Sequence, residues 1–193
     1  LYFTFKTFLR PYAESSWEYQ NVSFALCASS IRKLKAYDYR NSYKIFYDDL
    51  RVSKGSGGVP IFSSMGYTKR LKCLLKALRN YNFLRSYKEL LGFKVNGFFD
   101  FGYIAYYYKR FFYAGLLAEY TREILIDSNP ERVYSGSINE WYAIVLKNVS
   151  EKLNISTYCI PHGAAITFKL PHGIFGQNYY CLSKLEKKTL SSL

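Results

Sequence analysis

The sequence predicts an α/β protein, because two segments of the chain share the pattern strand, helix, strand. The first reads NVSFALCASS, IRKLKAYDYRN, SYKIFYDDL, and the second reads ERVYSGS, INEWYAIVLKNVSEKLN, ISTYCIPHG. A helix that connects two strands implies that the two strands are parallel. Two such units predict a Rossmann-like parallel sheet with helices on both faces.

The helix of the second unit is marked by apolar residues that recur at steps of three and four, which places them on one helix face. These residues are Trp141, Ile144, Val145, Val149 and Leu153. Asn154 suits the left-handed position that ends a helix, and an apolar run restarts at Ile155. We therefore expect residues 131–160 to form a parallel strand-helix-strand unit with Trp141, Val145 and Val149 packed on the sheet.

The middle of the chain is predicted to be helical. One helix is expected from Tyr67 to Leu91 and a second from about Tyr103 to Ile126, which stops at Pro130 because proline cannot continue a helix. Residues 1–180 then form one Rossmann-like domain with a helical insertion at about 67–128. Residues 181–193 begin a linker or a second domain, in which Ser183 has the capping-box spacing to Glu186. Since the chain begins with a leucine, we expect a piece of a longer protein.

The first of these helices is predicted to have a basic face. Leucines at positions 71, 74, 75 and 78 fall on one side, and the other side carries Lys69, Lys72, Lys76 and Arg79. The net charge is +13, and residues 1–97 hold 17 Lys and Arg against 6 Asp and Glu. A field of this sign attracts polyanions. The basic face is therefore predicted to lie on an anionic membrane surface, with a plain solvated face as the alternative.

Composition excludes several classes of protein. Aromatic residues make up 20% of the chain, which is too apolar for disorder. The longest aromatic stretch contains Asp100, Lys109 and Arg110, so it does not predict a transmembrane helix. The four cysteines lack CxxC spacing, and we interpret them as core residues in a reducing compartment. No metal site and no cofactor are expected.

Polar residues follow the two strands of the second unit and predict a site. Ser135, Gly136, Ser137 and Glu140 follow one strand, and Pro161, His162 and Gly163 follow the other. The carboxyl ends of parallel strands meet at one edge of a sheet, where ligands bind.

A histidine at that edge can take a proton near neutral pH, so His162 is a candidate general base. Glu140 could orient the ring or be the base itself, and Gly163 permits close approach of a ligand. In the alternative interpretation, His162 only bonds a carbonyl group and Glu140 only opens a helix. The tripeptide Pro-His-Gly recurs at residues 171–173, but nothing places His172 at a strand end.

The stretch NPERVYSGSINEWYAIVLKNVSEKLNISTYCIPHG, with the later QNYYCLSKLEKKTL, resembles the middle of bacterial GT-B type glycosyltransferases that build capsule and other surface polysaccharides. These include sialyltransferase-like and teichoic-acid polymerase-like groups. The resemblance covers about residues 127–190, and matches His162 and Gly163 to the family's His-Gly and Ser183 to a serine after the next strand.

The resemblance implies the N-terminal, acceptor-side half of a GT-B enzyme. Such an enzyme transfers a sugar from a nucleotide-sugar donor, bound largely by a C-terminal domain, to a glycan or lipid-linked acceptor. It works in the cytoplasm, peripherally on the inner face of the plasma membrane. A glycerophosphate-type polymerase on the same fold is the nearest alternative.

Two alternatives without catalysis remain, a basic nucleic-acid-binding module and a membrane-surface scaffold. The aromatic residues follow core periodicity instead of interleaving with arginine as in stacking platforms, which disfavours nucleic acid.

Overall fold

A six-stranded, fully parallel sheet forms the centre of this computed structural model, which describes residues 7–12, 19–37, 44–52, 57–90, 98–135, 141–160, 178–179, 181 and 183–191. The strands are β1 (Asn21–Ala25), β2 (Lys44–Tyr47), β3 (Val59–Pro60), β4 (Arg132–Ser135), β5 (Ser156–Cys159) and β6 (Asn178–Tyr179). Their order across the sheet is β3-β2-β1-β4-β5-β6. The predicted α/β fold with a Rossmann-like parallel sheet is confirmed.

Five helices have both of their ends within the described part of the chain. They are α1 (Ala28–Tyr37), α2 (Tyr67–Leu90), α3 (Phe98–Ser128), α4 (Trp141–Lys152) and α5 (Lys184–Ser191). Helices α2 and α3 lie between β3 and β4 in the chain, so the predicted helical middle is present. Helix α3 begins five residues earlier than its pattern predicted and ends as expected, with Asn129 at φ 39 directly before Pro130.

Both predicted strand-helix-strand units form. In the first, β1 and β2 pair in parallel with Phe24 opposite Phe46, and α1 connects them. In the second, β4 and β5 pair in parallel with Tyr134 opposite Tyr158, and α4 connects them. Asn154 adopts φ 57 two residues after α4, which confirms the predicted left-handed stop.

Each face of the sheet has its own apolar core, because side chains alternate between the two faces along a strand. On one face, Val22 and Phe24 pack with residues of α2, α3 and α4, and Phe24 stacks on Phe46 at 5.4 Å between ring centroids. The partly buried Val145 and Val149 join this core as predicted. The side chain of Trp141 lies outside the described residues. The opposite face is covered by α1 through the cluster Ala25, Ile31, Leu34, Ile45, Tyr47, Val52, Tyr134 and Ile160.

The leucine side of α2 is divided between the core and the surface. Leu74 packs against the core, whereas Leu71, Leu75 and Leu78 are 46%, 58% and 42% exposed. The buried side of α2 consists of Arg70, Cys73 and Ala77. The sequence pattern of α2 alone could not show that the helix packed against it carries acids toward the lysines.

The lysine side of α2 forms an ionic seam with α3. Lys69 Nζ donates to Asp127 Oδ1 at 2.6 Å, and Lys76 Nζ donates to Glu123 Oε1 at 3.2 Å. Lys72 lies 3.7 Å from the same Glu123 oxygen. Positions early in α2 therefore meet positions late in α3, which makes the two helices an antiparallel pair. Lys69, Lys72 and Lys76 have acidic partners within the protein.

Removing the charge of Glu123 should weaken this seam. Burial disfavours the charged carboxylate, but the hydrogen bond from Lys76 and the charges of Lys72, Lys76 and Arg122 outweigh burial and lower its pKa. The stability from this shift is present above the ordinary carboxyl pKa and is lost as pH falls through the lowered value. We expect Glu123→Gln to lower the free energy of unfolding at pH 7 by about 1–2 kcal/mol.

Urea denaturation between pH 3 and pH 7 checks this prediction. The difference between Glu123→Gln and the original protein should shrink below the ordinary carboxyl value of 4.5. Glu151→Gln is the matched control, because the exposed Glu151 pairs with Lys147 at 3.6 Å on the surface of α4. Its effect should stay under about 0.5 kcal/mol. Equal effects of the two substitutions would show that the seam does not stabilise the protein.

Candidate functional site

The strand order creates a switch point between β1 and β4. From β1 the chain proceeds outward through β2 and β3, and from β4 it proceeds outward in the opposite direction through β5 and β6. The connections on the two sides of this point diverge, which leaves a crevice outside the carboxyl ends of the two central strands. This edge of the sheet is where an open parallel fold binds its ligands.

A cysteine and two serines lie at the carboxyl end of β1. Cys27 lies two residues after the last residue of the strand and is half-buried, and α1 begins at the next residue. The sulfur lies 3.0 Å from Ser29 Oγ and 3.1 Å from Ser30 Oγ. Helix α1 therefore begins beside the switch point, where Ser29 is half-buried and Ser30 is fully buried. Such a helix start favours anionic groups.

Lys33 adds a positive charge close to this edge. Burial lowers its pKa, while the nearby sulfurs of Cys159 and Cys27 act in the opposite direction. Its ammonium thus lies near the ends of both β1 and β5. Burial also raises the pKa of Cys159 to about 12, so this thiol stays protonated near neutral pH.

The ends of β4 and β5 are in register at the same edge. Ser135, the last residue of β4, pairs with Cys159, the last residue of β5. The amide of Ile160 then donates to the carbonyl oxygen of Ser135 at 2.8 Å. The two segments that follow, 136–140 and 161–163, consequently start from adjacent points of the sheet.

Of the predicted site residues, the structure places Ser135 at this edge. Gly136, Ser137, Glu140, His162, Gly163 and also His172 lie outside the described residues. Ser183 is exposed and directly precedes α5. It comes four residues after β6, which pairs with β5 through Tyr158 and Asn178.

A buried acidic pair at the end of β2 escaped the sequence analysis. Asp48 is fully buried and accepts hydrogen bonds from the Tyr113 hydroxyl and, at 3.0 Å, from the Leu50 amide. Burial raises its pKa, and these hydrogen bonds act against the shift. Asp49 accepts from the Phe62 amide and the Ser63 hydroxyl, both at 2.9 Å.

A buried arginine beside this acidic pair donates hydrogen bonds to backbone carbonyl groups of several segments. The guanidinium of Arg70 is 1% exposed and donates to the carbonyl oxygens of Met65 at 2.6 Å, Ser63 at 3.2 Å and Phe8 at 3.2 Å. It also donates to the carbonyl of Arg10. Arg70 thus holds the amino-terminal segment against the turn before α2.

These charged groups form a scaffold beside the crevice and not a reactive centre, because each is enclosed and already hydrogen-bonded. The sequence signal was a pair of aspartates at a strand end, but their partners come from Arg10, Tyr113 and the turn at 61–66. Arg70 was missed because it lies in a helix with several lysines, and all basic residues of that helix were interpreted as surface residues.

The four predicted membrane-surface residues do not form one free basic surface. Lys69, Lys72 and Lys76 lie along the seam with α3, and Arg79 is exposed. No helix in the described part of the chain is both long and apolar enough to cross a membrane. Within the same residues, no group of three His, Cys, Asp or Glu side chains is arranged to hold a metal ion.

Comparisons with known proteins add no relative: no protein-family model, no curated protein and no solved structure matches this sequence.

Proposed function

We propose that this chain is the acceptor-side, Rossmann-like half of a GT-B type glycosyltransferase, which transfers a sugar from a nucleotide-sugar donor to a surface-polysaccharide acceptor. One observation carries the proposal. The ends of β4 and β5 are in register at the carboxyl edge of the sheet, with Ser135 opposite Cys159. The segment with Glu140 and the segment with His162 therefore begin side by side next to the switch point.

The proposed chemistry needs a base for the acceptor hydroxyl. His162 takes the proton as the hydroxyl oxygen forms its bond to the anomeric carbon of the sugar, and Glu140 orients the imidazole or serves as the base. Gly163 lets the acceptor approach the backbone. Ser135, Gly136, Ser137 and Ser183 bind acceptor hydroxyl groups.

The bond between the anomeric carbon and the donor phosphate breaks in the same reaction, so negative charge develops on the departing nucleotide. A cation near that oxygen stabilises the charge. Lys33 and the start of α1 lie at the same edge and are suited to an anion. Most of the donor contacts are proposed to come from a second Rossmann-like domain, with the helical middle inserted in this one.

A transfer assay on the whole protein tests this function. The protein is incubated with labelled nucleotide sugars and with CDP-glycerol, each with surface-glycan acceptors, and incorporation into the acceptor is measured. Transfer of sugar supports the proposal. Transfer of glycerophosphate alone would assign the fold to the polymerase class, and incorporation from neither donor class would contradict both.

A further inference from the structure

The outer face of α2 carries an exposed apolar stripe. Its members are Tyr67, Leu71, Leu75 and Leu78, at 53%, 46%, 58% and 42% exposure. Their spacing of four, four and three residues confines them to about 80° of arc on a helix of 3.6 residues per turn. These four side chains, named here the leucine stripe, form one continuous line about three turns long.

Cations border the leucine stripe on one side. Lys72 and Arg79 project within about 60° of its edge and are both exposed. Residues 67–79 contain five Lys and Arg and no Asp or Glu, but Arg70 is buried, and Lys69 and Lys76 pair with Asp127 and Glu123 of α3. Lys72 lies 3.7 Å from the same Glu123 oxygen, and its side chain is still 60% exposed. The outer face of α2 is therefore apolar along one line and positively charged beside it.

This combination fits an anionic lipid surface better than a second copy of the chain. Two such faces would bring like charges together, and the chain as a whole carries +13. A lipid surface accepts both features at once, because leucines enter the boundary between headgroups and acyl chains while lysine and arginine meet anionic headgroups.

We propose that the leucine stripe, with Lys72 and Arg79, is a membrane-contact surface for anionic lipids. Helix α2 then lies in the plane of the interface with its inner side packed on α3. The contact expected from the sequence used Lys69, Lys72, Lys76 and Arg79; the surface proposed here keeps Lys72 and Arg79, omits Lys69 and Lys76, which pair with α3, and adds the leucine stripe. The inference goes beyond the transferase proposal, since lipid binding needs neither donor nor acceptor and is measured without them.

Vesicle flotation tests the proposal with the full chain. The probes are vesicles of phosphatidylcholine with phosphatidylglycerol and vesicles of phosphatidylcholine alone. We expect binding only to the anionic vesicles, with loss at high salt. The double variant Leu71→Gln/Leu75→Gln should reduce partitioning of the protein onto the vesicles by about tenfold or more. Transfer of a half-exposed leucine side chain from water into the lipid boundary is favourable, and glutamine lacks this contribution.

Two matched controls separate the stripe from general effects. Ile126→Gln removes an apolar side chain that is 45% exposed on α3 and should leave binding within about twofold. Lys72→Gln/Arg79→Gln should weaken binding about tenfold or more. Lys152→Gln/Lys187→Gln removes the same charge from exposed positions on α4 and α5 and should have a smaller effect.

Three outcomes would overturn the proposal. The first is absence of binding to anionic vesicles by a folded protein. The second is binding that survives Leu71→Gln/Leu75→Gln unchanged. The third is a dimer, seen by light scattering, that the same double variant dissociates, because a second copy would then cover the stripe. Unchanged circular dichroism of the variants shows that each result concerns the surface and not the fold.

Discussion

Replacement of His162 by alanine in the whole protein is expected to reduce turnover by about 10²- to 10⁴-fold, the usual contribution of a general base. The residue follows a strand whose end is fixed at the edge of the sheet by the hydrogen bond from Ile160 to Ser135. Losing the imidazole leaves the acceptor hydroxyl without a group that takes its proton near neutral pH. The substrate contacts remain, so kcat should fall much more than KM rises.

Two controls accompany His162→Ala. His172→Ala carries the same chemical change within the same tripeptide and should cost much less activity. The melting temperature of both variants should stay near that of the original protein. A histidine with a structural role would produce the reverse pattern, a lower melting temperature with nearly normal turnover. Full activity in folded His162→Ala protein would exclude it as the base.

Replacement of Arg70 by methionine is expected to lower the free energy of unfolding by about 3 kcal/mol or more. Methionine fills much of the same volume but donates no hydrogen bonds. The carbonyl oxygens of Met65, Ser63 and Phe8 would then remain buried without this donor, and an unsatisfied buried group costs about 1–3 kcal/mol. Denaturant unfolding gives the midpoint and slope from which the change follows.

Arg79→Met is the matched control for Arg70→Met. Both residues are arginines of α2, but Arg79 is exposed, so its replacement should change stability by less than about 0.5 kcal/mol. Arg70→Lys should fall between the two, because an ammonium keeps the charge but lacks the planar fork of donors. A small effect of Arg70→Met would mean that the guanidinium does not hold the amino-terminal segment.

The sheet could be predicted from the sequence because both strand-helix-strand units are local patterns. Trp141 to Leu153 shows helical spacing between two apolar runs, and the parallel pairing of β4 and β5 follows from the connection alone. Asn154 and Pro130 mark helix ends through backbone chemistry that depends on few neighbours. These local signals do not depend on residues that are distant in the chain.

The orientation of α2 could not be predicted in the same way. Its leucine side and its lysine side are both plausible inner faces until the partner helix is known. Asp127 and Glu123 lie more than forty residues away in the chain, and their pairing with Lys69 and Lys76 decides which side faces α3. A single-helix pattern contains no information about that partner.

The polar scaffold beside the crevice was missed for a related reason. Asp48 and Asp49 stand out in the sequence as acids after a strand, but a site and a buried network look alike at that level. A buried network is distinguished from a site by the partners of the acids. Here Tyr113, from a helix distant in the chain, donates a hydrogen bond from its hydroxyl to Asp48. The position of Ser135 was predictable, because it depends only on the parallel register of β4 and β5.

The central claim, that substrates bind at the switch point between β1 and β4, is tested most directly by the reactivity of Cys27. Burial raises the pKa of Cys73 and Cys159 to about 12, so with Cys181→Ser the half-buried Cys27 is the thiol expected to react with iodoacetamide. We predict that a donor and acceptor pair that supports transfer slows alkylation of Cys27 in the whole protein. An alkylation rate that stays unchanged while the substrates turn over would contradict the assignment of the site to this edge of the sheet.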